Sequence, residues 1–102
     1  MRLEHEQVEH LKGEIKRIVG KRLDLTQYQL FFFGSRVSGR GDEHSDIDIG
    51  IEGKEPIPSL TRSKIEEDIE NLPILYKIDF VDFKTVSEDF YRIAKQTIEP
   101  IE

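Results

Sequence analysis

Two aspartates separated by one residue, Asp46 and Asp48, stand in an apolar segment that alternates in the manner of a β-strand. Because alternate side chains of a strand share one face, about 6.5–7 Å apart, both carboxylates should point the same way. Ile47, Ile49 and Ile51 should then point into a core. Two like charges held side by side repel unless a cation lies between them. Oxygen ligands suit Mg²⁺, which commonly keeps waters and substrate phosphates as further ligands. The pair therefore predicts a metal site that handles phosphate.

A Gly-Ser pair, Gly34 and Ser35, follows an aromatic segment shortly before these aspartates. Glycine lets a ligand approach the backbone closely, and the first N–H groups of a following helical turn can point at an anion. Ser35 adds a hydroxyl donor, although it could equally be the N-cap of an ordinary turn. The nearby aspartates favour a phosphate-binding turn. Arg36 and Arg40 could either contact phosphate or remain solvated.

A third carboxylate is needed if two metal ions, about 3.5–4 Å apart, are to bridge a nucleophile and a leaving group. The last predicted strand offers Asp79 and Asp82, which face opposite sides of a sheet because their numbers differ by an odd count. Only one of them can join the site. Both faces of this strand carry apolar residues, so alternation alone does not choose between them.

Hydrophobic periodicity predicts the elements that must hold these residues. Three segments have helical spacing, three short apolar segments have the pattern of strands, and a turn of helix and a loop lie between the first two strands. In chain order the predicted elements are helix 3–22, strand 28–33, turn 35–38, loop 39–44, strand 46–52, helix 59–72, strand 76–83 and a helix after Ser87. This order predicts one α/β (α+β) domain over residues 1–102, with a small mixed sheet flanked by helices.

The last helix has clear start signals. Ser87 is a suitable N-cap, and Glu88 and Asp89 place negative charge at the positive end of the helix dipole. The apolar positions that follow predict one buried face: Phe90, Ile93, Ala94, Thr97 and Ile98.

Composition limits the partners and the cellular location that we expect for this protein. The 102 residues include 21 acidic and 15 basic side chains, for a net charge of −6, so a polynucleotide is an unlikely main partner. The absence of cysteine fits a reducing compartment. No apolar run has the length of a signal peptide core or a membrane span, which predicts a cytoplasmic protein without membrane contact.

The whole motif resembles the signature of the DNA polymerase β nucleotidyltransferase superfamily, and it is most similar to the minimal nucleotidyltransferase (MNT) group of small stand-alone proteins. The residues that carry the resemblance are Gly34, Ser35, Gly39, Ser45, Asp46, Asp48 and Ile51. The similarity extends over nearly the whole chain and implies a polymerase β palm-like fold.

The resemblance also implies roles for individual residues. Asp46 and Asp48 would bind divalent metal, two Mg²⁺ ions or Mn²⁺, and the third metal-binding and catalytic acid would be Asp79. The nucleotide would be held by Gly34, Ser35, Arg36 and Ser45. A hydroxyl acceptor would attack the α-phosphate of a nucleoside triphosphate, with ATP as the expected donor, and pyrophosphate would leave.

Partners follow from the same resemblance. MNT proteins typically pair with a helical protein of the HEPN or substrate-binding type, often as toxin–antitoxin modules, and some attach AMP to a tyrosine of the partner. We therefore expect a nucleotidyltransferase with an antitoxin-like role. Two alternatives stay open: a non-catalytic nucleotide-binding subunit that blocks or assembles with its partner, and transfer to a small molecule such as an aminoglycoside.

Overall fold

A four-stranded mixed sheet and four helices make up the computed structural model, which describes residues 1–42 and 44–102. In chain order these elements are α1 Val8–Gly20, β1 Gln29–Phe33, α2 Ser35–Ser38, β2 Ile47–Glu52, α3 Ser59–Glu70, β3 Ile78–Asp82, α4 Glu88–Ala94 and β4 Glu99–Pro100. The strands lie in the order β3-β2-β1-β4. β1 is antiparallel to β2 and β4, and β2 is parallel to β3. The predicted mixed sheet flanked by helices is confirmed.

One face of the sheet carries the larger core. Ile47, Ile49 and Ile51 of β2 are fully buried there, as the alternation of the strand predicts. They belong to a cluster that also contains Ile15 of α1 and Ile65 of α3. Both helices therefore cover this face, and the side chain of Asp48 must lie on the other one, as would a Cβ added at Gly50.

A smaller aromatic core lies on the opposite face. Phe31, Phe33 and Phe83 form it, with ring centroids 4.9 Å apart for Phe31 and Phe83 and 5.0 Å apart for Phe33 and Phe83. Tyr91 and Ala94 of α4 pack against this cluster. Aromatic side chains therefore fill the end of this face near Phe83, beneath α4. Asp48 lies toward the other end of the same face.

Gly50 is required by the aromatic core. A Cβ at this position would lie 2.4 Å from the Phe31 ring and 2.7 Å from the Phe83 ring. We expect Gly50→Ala to lower the free energy of unfolding by about 1–3 kcal/mol through overpacking. Urea denaturation measures this, with Gly13→Ala as the control. Gly13 lies in α1 with nothing within 4 Å of an added Cβ, so alanine should stabilise there by about 1 kcal/mol. Equal effects at the two positions would contradict the packing described.

The first helix is shorter than predicted. The prediction covered residues 3–22, whereas α1 runs over Val8–Gly20. The preceding segment bonds instead to distant parts of the chain, because the Met1 amino group pairs with Glu99 and the His5 N–H donates to Tyr76 Oη at 2.8 Å. Glu43, inside the predicted loop 39–44, lies outside the described residues.

The predicted buried face of the last helix is right for Ala94 and Ile98, which pack against the aromatic core, and wrong for Phe90 and Ile93. Phe90 and Ile93 are 41% and 60% exposed, and α4 ends at Ala94, before Thr97 and Ile98. The helix meets the sheet through Ala94 and through Tyr91, which was not among the predicted positions. Periodicity identifies apolar positions, but it does not determine which of them face the sheet. No helix in the described residues is long and apolar enough to cross a membrane.

Candidate functional site

Two of the predicted acidic residues lie side by side on neighbouring strands. Asp48 of β2 and Asp79 of β3 are register partners in the parallel pair, and Phe33 of β1 is the partner of Asp48 on its other side. Register partners present their side chains on the same face of a sheet. Asp46 immediately precedes β2 and is partly buried. A row across the sheet is therefore formed by Phe33, Asp48 and Asp79, and Asp46 lies directly before the first residue of β2.

The surroundings of Asp48 disfavour its charged form. Burial, followed by the negative charges of Asp79 and then Asp46, raises the pKa of Asp48 from its ordinary value of 3.8 to about 6. At neutral pH the ionised carboxylate is therefore held in surroundings that disfavour its charge. A bound cation would relieve that repulsion.

Asp82 has a different place and a different role. Its register partner is Ile51, so it lies on the opposite face of β3 from Asp79. It is 2% exposed and accepts hydrogen bonds from the Ile57 N–H at 2.8 Å and the Lys84 N–H at 3.0 Å. Asp82 therefore ties the β2–α3 connection to the end of β3, and the acid next to Asp48 is Asp79.

The Gly-Ser turn presses directly against Asp48. Gly34 has φ 83° and ψ −162°, a backbone conformation that only glycine adopts readily. A Cβ on Gly34 would lie 2.2 Å from Asp48 Oδ2. The turn can contact the Asp48 carboxylate only because Gly34 has no side chain.

The following loop folds back on the turn. The N–H groups of Arg40 and Gly41 donate to the Ser35 carbonyl at 3.0 and 2.9 Å. A Cβ on Gly41 would lie 3.1 Å from both Ser35 Oγ and Ser45 Oγ. The loop therefore brings the two predicted serine hydroxyls to the same small region, next to the start of the acidic strand.

Three predicted site residues do not line the cleft beside the turn, namely Arg36, Ser45 and Asp46, whereas Gly34, Ser35, Asp48 and Asp79 do. The Arg36 side chain is only 3% exposed, and Nε donates to the Ser45 carbonyl at 2.8 Å. The Arg36 guanidinium lies over the Tyr76 ring, 4.8 Å from its centroid, and Tyr76 in turn lines the cleft. Arg40, in contrast, lines the cleft.

A cleft of about 980 Å³ opens beside the turn and is lined by Asp48 and Asp79. Its polar residues include Ser35, Arg40, Asp48 and Asp79, and α4 contributes Phe90, Ile93 and Ala94. Lys77 also lines it and was not predicted, although it lies two residues before Asp79 in the predicted strand 76–83, where alternation places both on one side. No sequence pattern indicated that Phe90 and Ile93 of α4 would line the cleft.

The donor set has the chemistry of a hard-cation site. Asp46, Asp48 and Asp79 offer only carboxylate oxygens, which suit Mg²⁺ or Mn²⁺. Among the residues that the structure describes, no three histidine or acidic side chains are already drawn together tightly enough to hold an ion. Mutually repelling carboxylates are not expected to converge further until a cation binds.

Comparison with known proteins adds a family relationship. Residues 15–99 match the family model described as polymerase beta, nucleotidyltransferase. The probable protein adenylyltransferase MntA of Haemophilus influenzae is 35% identical over 69 residues, which represent 68% of this chain and 60% of that protein. The match thus spans less than two thirds of the relative's length.

Solved structures share the fold. A crystal structure of a toxin–antitoxin with AMP-PNP has a TM-score of 0.70 at 16% identity, covering 89% of this chain and 72% of that chain. A tri-AMPylated Shewanella oneidensis HEPN toxin in complex with an MNT antitoxin gives a TM-score of 0.66 at 16% identity, covering 93% and 72%. At such identities the likeness shows the fold alone.

Proposed function

This chain belongs to the polymerase β nucleotidyltransferase family, and from that premise we propose that it transfers AMP from ATP to a hydroxyl group of a partner protein. The observation that carries the proposal is the row formed by Asp48 and Asp79, with the Gly34 backbone in contact with Asp48. The relative named as a probable protein adenylyltransferase supports the reaction. The AMPylated HEPN toxin bound to an MNT antitoxin supports the class of partner.

The proposed reaction is a displacement at the α-phosphorus of ATP. The acceptor oxygen forms a bond to that phosphorus while the bond from phosphorus to the bridging oxygen of the β-phosphate breaks. Pyrophosphate leaves, and the hydroxyl proton passes to Asp79 or to water. Such a reaction depends chiefly on positioning and on stabilisation of the charge on phosphate oxygens.

Different residues of the site would carry out different parts of this reaction. Asp46, Asp48 and Asp79 would hold divalent metal, two Mg²⁺ ions or Mn²⁺, which when bound neutralises phosphate charge and lowers the pKa of the acceptor hydroxyl. The turn at Gly34 and Ser35, with the Ser45 hydroxyl beside it, orients the triphosphate. Arg40 can pair with phosphate from the rim of the cleft. Asp79 orients the acceptor.

The partner that we propose is a helical protein of the HEPN or substrate-binding type, and the role is that of an antitoxin in the cytoplasm. The exposed Phe90 and Ile93 at the cleft offer apolar contact area beside the acids. The alternative, a subunit that only binds nucleotide and blocks its partner by contact, does not account for a partly buried Asp48 carboxylate that faces the negative charges of Asp79 and Asp46.

The test is transfer of label from α-labelled ATP to the partner in the presence of Mg²⁺. We expect the wild type to label the partner and Asp79→Asn to reduce the rate at least about 100-fold, since the acceptor loses its orienting carboxylate. Asp82→Asn is the matched control on the same strand. It should lower the free energy of unfolding by about 1–3 kcal/mol through weakened buried hydrogen bonds, yet retain the transfer rate per folded molecule.

Two outcomes would contradict the proposal. Undiminished labelling by Asp79→Asn would remove this residue from the site. Full neutralisation of the partner by a variant that has lost all transfer would favour the non-catalytic alternative.

A further inference from the structure

Arg36 is a buried cation at the back of the proposed site. Its Nε donates to the Ser45 carbonyl at 2.8 Å, and Nη1 makes a weak bond of 3.5 Å to the Arg2 carbonyl. Nη1 also lies 3.5 Å from Glu4 Oε2, a long ion pair with a carboxylate that is largely exposed. The guanidinium lies 4.8 Å from the centroid of the Tyr76 ring.

These contacts join the three segments that carry the proposed site. Arg36 itself directly follows Ser35 in the phosphate-binding turn, and Ser45 directly precedes Asp46. Tyr76 lies just before β3, which carries Asp79. One side chain therefore connects the turn, the entrance of the central acidic strand and the entrance of its neighbour.

Stability alone is a poor explanation of this arrangement. Among the described residues, Arg36 Nη2 is a buried donor without a hydrogen-bond partner. An unsatisfied buried donor and a desolvated charge both lower stability, and buried ionic groups can often be replaced by apolar ones without loss. What an apolar residue would not supply is the directed bond to the Ser45 carbonyl together with a flat cation on the Tyr76 ring.

We propose that Arg36 is a positioning residue, which sets the spacing between the Gly34–Ser35 turn and the two acidic strands without contacting the nucleotide. This inference rests on the proposed function. Loss of the guanidinium would leave the Ser45 carbonyl free to move, and with it the backbone that carries Asp46. The affinity of the carboxylates for metal should then fall more than the affinity for nucleotide, because the Gly34–Ser35 turn keeps its own backbone hydrogen bonds from Arg40 and Gly41.

Two titrations separate positioning from direct contact. Mn²⁺ is titrated by electron paramagnetic resonance in saturating non-hydrolysable ATP analogue, and the analogue is titrated by calorimetry in saturating Mn²⁺. We expect Arg36→Met to weaken Mn²⁺ binding by about 10–100-fold, the usual effect of losing a residue that supports metal ligands, and to change analogue binding less than about threefold. Arg17→Met, which removes an exposed charge of α1, should change neither titration.

A second variant covers the case in which Arg36→Met does not fold. Arg36→Lys keeps the charge but cannot donate to the Ser45 carbonyl and lie flat on Tyr76 at the same time. We expect it to fold and to weaken Mn²⁺ binding by about threefold to tenfold. In the ligand-free protein, amide hydrogen exchange of Ser45 and Asp46 should be faster than in the wild type.

The inference is overturned if both variants bind Mn²⁺ within twofold of the wild type. It is also overturned if Arg36→Met weakens the analogue as much as the metal, because that result would make Arg36 a phosphate ligand. A wild type that binds neither Mn²⁺ nor the analogue would instead overturn the proposed function, and this inference with it.

Discussion

Asp48→Asn is expected to abolish transfer and, at the same time, to stabilise the metal-free protein. Activity should fall at least about 1,000-fold, because loss of a carboxylate that holds the metal removes several kcal/mol of charge stabilisation. Stability should rise because the asparagine side chain carries no charge to be repelled by Asp79 and Asp46. Since Asp48 keeps some solvent contact, we expect a gain of about 1–2 kcal/mol at pH 8 rather than the full value of its pKa shift.

The size of this stabilisation changes in a defined way with pH. The folded carboxyl keeps its proton up to a pH of about 6, whereas the unfolded one loses it near 3.8. Ionisation of Asp48 therefore lowers the stability of the wild type as the pH rises through this interval. The advantage of Asp48→Asn should be complete above pH 6 and should vanish below pH 3.8.

Urea denaturation of both proteins with a chelator present, at pH 8 and near pH 4, measures the difference. Asp24→Asn is the control of opposite sign, because hydrogen bonds from Thr26 hold the pKa of Asp24 below its ordinary value. That variant should lose stability at neutral pH. A less stable Asp48→Asn at pH 8 would show that the carboxylates are not in repulsive proximity.

Gly34→Ala is expected to have the second largest effect. Its backbone conformation disfavours any side chain, at a cost of about 1–3 kcal/mol. The added Cβ would also lie 2.2 Å from Asp48 Oδ2, so the carboxylate and the turn must move apart. Since a displacement of about 1 Å at a reacting centre can cost about 100-fold in rate, transfer should fall by at least that factor.

Gly39→Ala is the matched control for this substitution. Gly39 also has a positive φ, of 82°, but nothing lies within 4 Å of an added Cβ. Both alanine variants should therefore lose stability in thermal denaturation, whereas only Gly34→Ala should lose most of its transfer rate per folded molecule. Equal rates in the two variants would contradict the contact between the turn and Asp48.

The central strand was predictable because its pattern is local. Alternation placed Ile47, Ile49 and Ile51 in the core and Asp48 on the other face, and the structure agrees. The choice between Asp79 and Asp82 was not predictable from alternation, because it depends on the register of a parallel pair joined through α3. The family resemblance favoured Asp79, and the sheet places that residue beside Asp48.

The misplaced features depend on tertiary contacts. Helical spacing marked Phe90 and Ile93 as apolar but could not show that α4 meets the sheet through Tyr91. The two-residue strand β4 was missed, since two residues that include Pro100 give no alternation to detect. The contacts of Arg36 with Ser45 and Tyr76 could not be predicted either, because they depend on how the loop and the segment before β3 fold against the turn.

A crystal structure with Mn²⁺ and a non-hydrolysable ATP analogue tests the central claim most directly, because anomalous scattering locates the metal. We expect Mn²⁺ to be bound by carboxylate oxygens of Asp46 and Asp48 together with phosphate oxygens, with Asp79 beside it and Asp82 still bonded to Ile57. Mn²⁺ and analogue bound elsewhere on the chain, with Asp48 and Asp79 left without either, would contradict the account.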